Sequence, residues 1–116
     1  MTRQLKKYVR LGSRIALYIP GTVNINEAAN NDAWIAKTSL MFSDLFGGAT
    51  ATPGAGYWVD DAAGLVSEDV TIVYSYATDE AMKIGIHKVL QFAHEMKSEL
   101  RQSAVSLEVN GELYLI

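Results

Sequence analysis

The chain has 116 residues with 10 bases, 13 acids, a net charge of −3 and no cysteine. That length supports a single domain, residues 1–116, with its own core. Without thiols there is no disulfide, thiolate metal site or cysteine nucleophile, as suits a reducing cytoplasm, and no apolar run approaches the ~18 residues of a membrane span.

The charge is uneven. Residues 1–14 hold Arg3, Lys6, Lys7, Arg10 and Arg14 and no acid, so the remaining chain is strongly acidic. Leu5, Lys7, Val9 and Leu11 alternate with Lys6, Tyr8 and Arg10, which reads as a half-buried strand turning at Gly12-Ser13. Two further readings stay open: residues 1–13 as a basic arm, or one long bulged strand. Lysines also guard exposed strand edges. A solubilising edge is favoured over a grip on nucleic acid or an acidic protein, because the acidic body repels phosphate; Lys6, Lys7 and Arg10 are the candidate electrostatic contacts if the arm meets a partner.

From Arg14 to Ile19 a stronger strand is expected, with Ile15, Leu17 and Ile19 on one face and Ala16 and Tyr18 on the other. Pro20-Gly21 ends it. Residues 22–31 read as a loop leading to a helix capped by Asn30 or Asn31, with Asp32 at the positive end of its dipole. Trp34, Ile35, Thr38, Met41, Phe42, Leu45 and Phe46 recur at three- and four-residue steps and form one apolar stripe.

Gly47-Gly48 stops that helix. The following glycines, Gly54 and Gly56, open a strand rather than a helix and lack a Lys-Ser/Thr, which argues against a phosphate loop. A bulged edge strand over Ala55–Val59 is expected, with Pro53 at its start or edge. A turn over Asp60–Gly64 leads to the longest strand, Leu65–Tyr76. Its faces are read as Val70, Ile72, Tyr74 and Tyr76 toward the core, and Thr71, Val73 and Ser75 away from it.

Thr78 or Asp79 caps a second helix, residues 80–102, with a core stripe from Met82 through Val89 and Met96 to Leu100. Gly85 inside it costs up to ~1 kcal/mol against alanine unless a neighbour packs close. A strand over Ala104–Val109 follows, and Asn110-Gly111 is a strong hairpin signal returning a short last strand. The core is expected to gather Leu17, Phe42, Ile72, Val89, Met96 and Leu107.

Strand, helix, strand, strand, helix, strand is the ferredoxin-like βαββαβ plan. It places both helices on one face of an antiparallel sheet, here with an extra C-terminal hairpin strand. The run Phe42–Phe46, the glycines that follow, Gly56-Tyr57-Trp58 and the Asp-rich turn to Gly64 resemble small uncharacterised ferredoxin-like proteins of phages and mobile elements. The resemblance implies a fold and carries over no catalytic residue.

No reaction is assigned by motif. His87 and His94 share a helix face, but lie about 10 Å apart along the axis, too far to bind one metal together. Asp60-Asp61 and Glu68-Asp69 could flank a cation, yet Asp is an ordinary turn residue. No metal or cofactor is therefore expected. The serines form no nucleophile motif. An RNA-binding sheet needs a basic, aromatic surface that the central strands do not offer.

The uncovered sheet face, displaying Tyr18, Trp58 and Val73, is the expected interface, because exposed apolar patches mark partners. The leading reading is a non-enzymatic phage or mobile-element protein that binds a second copy or a host protein and inhibits a host function such as a defence system. The alternative is a dimeric ferredoxin-like small-ligand binder or enzyme, with its pocket between helices and sheet.

Overall fold

Ser13–Pro20 forms β1, the central strand, and Ile15, Leu17 and Ile19 all point to its helix-covered side. The computed structural model describes residues 2–23, 27–28 and 31–116. Before β1 comes α1, Thr2–Leu5, closed by a turn in which Tyr8 N donates to Leu5 O at 3.0 Å. The strand expected over Leu5–Leu11 is therefore absent, and the segment is an arm. Its place is taken: β1 already pairs with a strand on each side.

The expected loop contains a small ladder of β2, Thr22–Val23, and β3, Glu27–Ala28. The helix α2 spans Asp32–Phe46. Asn31 occupies its N-cap position but makes no side-chain cap; its Nδ2 donates instead to Pro20 O at 3.2 Å, tying the helix start to the end of β1. Asn30 lies outside the described residues. Gly47 ends α2 in the left-handed region at φ 98°, which the absence of a Cβ permits.

Next come β4, Thr50–Asp60, and β5, Gly64–Ala77, both longer than expected. The helix α3 follows at Asp79–Glu99; the Thr78 hydroxyl caps it by accepting from Ala81 N at 3.1 Å. Then β6, Ser106–Val109, turns through Asn110 and Gly111 into β7, Glu112–Leu115. Both turn residues have positive φ, 53° and 84°, as this two-residue hairpin requires.

The sheet order is β4-β5-β1-β6-β7, antiparallel at every junction. This is the split βαβ arrangement with β7 added at one edge. Among the described residues no helix is long and apolar enough to cross a membrane. The core joins Ile15, Leu17, Ile19, Phe42, Val73, Val89, Met96 and Leu107.

One strand is inverted relative to expectation. Leu17 lies opposite Val73, so Val73 faces the helices and is fully buried, whereas Ile72 lies opposite Tyr18 on the uncovered side. Two bulky rings of α2, Phe42 and Phe46, pack edge to face at 5.7 Å above β5 and leave room beneath them for small residues. Val73, Ser75 and Ala77 meet that need. The Ser75 hydroxyl, also buried, is satisfied by donating to Gly48 O at 2.6 Å. The larger Tyr74 and Tyr76 take the other face, where the Arg14 guanidinium lies 4.5 Å and 5.8 Å from their ring centroids.

Gly85 is where α3 approaches α2. A Cβ there would sit 3.0 Å from Phe46 Cε1 and 3.2 Å from its Cζ. Alanine normally gains about 1 kcal/mol over glycine inside a helix. Displacing a packed ring costs about 1–3 kcal/mol. Gly85→Ala is thus expected to lower the melting temperature, and a rise of several degrees would show that the helices are not in close contact here.

Candidate functional site

Beyond Val70 the β4–β5 hairpin has no third strand, since β1 ends at Pro20 opposite Val70. The root of this two-stranded ribbon carries one of the molecule's pockets. A cavity of about 260 Å³ opens on the uncovered face, walled by Tyr18, Pro20, Val70 and Ile72, floored by Gly54 and Gly56, and closed at one side by Gln102 and Ser106. Glu68 supplies its carboxylate. This cavity lies on the uncovered face, whereas the pocket expected between helices and sheet corresponds to a separate cavity of about 210 Å³ between Ile86 and Leu90 of α3 and Leu107, Val109 and Tyr114 of the sheet.

Two features of the strands create it. Gly54 and Gly56 are alternate residues of an edge strand, so both lack a side chain on the same face. Their cross-strand partners are Val70 and Glu68. A Cβ at Gly56 would meet nothing nearer than Glu68 O at 4.0 Å, so glycine here is not demanded by packing. The space above it is open.

Glu68 is held in place. The Thr22 hydroxyl donates to its Oε2 at 2.6 Å. The backbone around Thr22 is fixed in turn: Gln102 Nε2 donates to Thr22 O at 2.9 Å and to Leu100 O at 3.2 Å, and Gly21 N donates to Asp69 O at 2.9 Å. A Cβ on Gly21 would fall 2.5 Å from that Asp69 carbonyl, so glycine is required at this close approach. Three segments far apart in sequence thus converge on one carboxylate.

The other singled-out residues are placed as follows. Tyr18 forms a pocket wall and Trp58 stands two residues past Gly56 on the same uncovered face, both half-buried. Val73 is on the covered face and is no surface residue. Lys6, Lys7 and Arg10 are exposed on the arm, remote from the pocket. His87 and His94 are exposed on α3. The Asp60 carboxylate accepts from Ala62 N at 3.0 Å and Ala63 N at 2.9 Å, the role of an Asp in a turn. Among the described residues no cluster of three or more His, Asp or Glu forms a metal-binding group. Away from the pocket, the Tyr114 hydroxyl donates to Glu112 Oε2 at 2.8 Å, and this bond, then the carboxylate's charge, holds the phenol above its ordinary pKa.

No family model matches the chain, and no curated protein matches it. Solved structures do. A phage SAM lyase in complex with S-methyl-5'-thioadenosine matches with a TM-score of 0.68 and 14% identity, over 97% of this chain and 94% of its own. A phage SAM lyase in the apo state matches at 0.67 with 16% identity, over 94% of each chain. At such identities the likeness is one of fold.

Proposed function

We propose that this is a phage-type protein that binds S-adenosylmethionine in the Glu68 pocket and cleaves it to S-methyl-5'-thioadenosine. The observation that carries the reading is the pocket itself: a fixed carboxylate facing a floor of two glycines, on a fold shared with a lyase solved with that product. A fold alone would not suffice.

The chemistry fits the lining. The substrate's sulfonium is cationic, and the Glu68 carboxylate attracts it. Tyr18, Pro20, Val70 and Ile72 offer flat and aliphatic surface to the nucleoside, and Gly54 and Gly56 let it approach the strand backbone. When the bond from sulfur to the amino-acid chain breaks, sulfur keeps the electron pair and becomes a neutral thioether. The four-carbon fragment balances the loss by closing its own carboxylate onto that carbon, or by passing a proton from the carbon beside it to that carboxylate. Neither route consumes water. Charges cancel on this path, so apolar walls favour it over solution.

Such a reaction would inhibit host functions by removing a methyl donor, without requiring the protein to touch its targets. The test is direct. Purified protein incubated with S-adenosylmethionine should yield S-methyl-5'-thioadenosine by chromatography, and the product should stabilise the fold by about 2.7 kcal/mol at a hundredfold excess over Kd. No product and no thermal shift with either compound would refute the reading.

A second variant separates site from fold. Gly56→Val places a β-branched residue on an edge strand with space for it, which suits strand structure. The melting temperature is expected to hold or rise, while product binding is lost because the side chain fills the pocket floor. Retained binding would mean that the ligand lies elsewhere.

A further inference from the structure

The carboxylate of Glu68 is oriented but not neutralised. Among the described residues no base pairs with it; the ion pair they contain joins Arg14 to Glu108. Its partner is an uncharged hydroxyl, since Thr22 Oγ1 donates to Oε2 at 2.6 Å. Oε1 has no partner among the described residues. None of their unpartnered side-chain oxygens is buried, so Oε1 is open to solvent at the cavity that Glu68 lines.

Thr22 comes to Glu68 by strand register. The pairing of β1 with β5 ends at Pro20 opposite Val70, and counting it on by two residues sets Thr22 opposite Glu68. The step between is fixed by Gly21 N, which donates to Asp69 O at 2.9 Å. Gln102, just past the end of α3, holds Thr22 from the other side. A glutamine amide has two N–H donors, and both are engaged, at 2.9 Å with Thr22 O and at 3.2 Å with Leu100 O. Gln102 thus holds the backbone of Thr22, and the Thr22 hydroxyl holds Glu68.

We propose that Thr22 and Gln102 are positioning residues that make the cavity selective for the cationic substrate over its neutral product. This rests on the reading of the cavity as a site for S-adenosylmethionine. A lysine or arginine in place of Thr22 could orient Glu68 too, but would offset the charge that attracts the sulfonium. With no donor, the long glutamate side chain would lose its rotamer freedom only when the ligand arrives, and that loss weakens binding. A hydroxyl avoids both costs. It is neutral, and threonine is stiff at χ1.

The experiment follows product formation by wild type, Thr22→Val, Thr22→Ser, Gln102→Met and the Thr22→Val/Gln102→Met double variant. S-methyl-5'-thioadenosine is added as inhibitor, and circular dichroism checks the fold. Thr22→Val keeps the branched shape and removes the donor. It is expected to raise KM for S-adenosylmethionine about tenfold, with kcat and the inhibition constant of the neutral product nearly unchanged. Thr22→Ser restores the donor and should bring KM most of the way back. Gln102→Met should raise KM with the same selectivity, and should add nothing in the Thr22→Val background, because the two act through one contact. Equal losses for both ligands would reduce Thr22 to a part of the fold and overturn the proposal. So would failure of serine to rescue, or additive effects in the double variant, which would mean that Gln102 meets the ligand directly. An active wild type with an indifferent Thr22→Val refutes this proposal alone. A wild type that neither cleaves S-adenosylmethionine nor binds the product refutes the reading of the cavity, and this proposal with it.

Discussion

Glu68→Gln is expected to weaken binding of S-adenosylmethionine by roughly 10- to 100-fold while leaving that of S-methyl-5'-thioadenosine much less affected. The two ligands share the nucleoside and differ in charge at sulfur. A hydrogen bond or contact to a charged group contributes about 1.5–3 kcal/mol, and 1.4 kcal/mol is tenfold. Glutamine keeps the size and can still accept from Thr22, whose hydroxyl lies 2.6 Å from Oε2, so the fold should be undisturbed. Calorimetric titration of both ligands into both proteins reads the difference. Equal losses would assign Glu68 to the nucleoside rather than to the cation; no loss would remove it from the site. Because sulfur becomes neutral on cleavage, the effect belongs mainly to substrate affinity rather than to the rate of the bond-breaking step.

Val73→Asp is expected to prevent folding. Val73 is wholly buried against Leu17 and beneath α2, with no base nearby in the core cluster. Burying an unpaired carboxylate costs several kcal/mol, comparable with the ~5–15 kcal/mol that holds a domain of this size. The adjacent substitution is the control. Ile72→Asp falls on the uncovered face at a half-buried site, where losses of about 0.5–3 kcal/mol are usual. Leu17→Ala, opposite Val73, should cost ~2–5 kcal/mol. Urea titrations of the three variants decide the faces of β5. A stable Val73→Asp beside an unfolded Ile72→Asp would reverse them.

The pocket was within reach of a more pointed question to the sequence. Gly54 and Gly56 read as features of a bulged edge strand, yet two glycines at alternate positions also clear one face of a strand for a ligand. Glu68 read as one of four acids that could flank a cation across a hairpin. That it faces Gly56, that Thr22 grips it and that Gln102 steadies Thr22 depend on pairs separated by 12, 46 and 80 positions. No local pattern reports such distances.

Element ends were legible for the opposite reason. The αL stop at Gly47, the Thr78 cap and the Asn110-Gly111 turn are set by contacts within a few residues, so their chemistry shows in the letters. The alternation of two strands and two apolar stripes likewise dictates the split βαβ plan. The phase of β5 was different. Val70, Ile72, Tyr74 and Tyr76 are more apolar than Thr71, Val73, Ser75 and Ala77, and alternation by itself selects the larger set for the core. The tertiary structure selects the smaller set, because α2 already fills the space with Phe42 and Phe46. The arm was decided in the same way: its alternating residues could have formed a strand, but both edges of β1 were already taken. Short-range capping and turn chemistry is therefore written in the sequence itself, whereas the choice of buried face, the fate of the arm and the pocket were settled by competition among distant segments for the same space and the same hydrogen bonds.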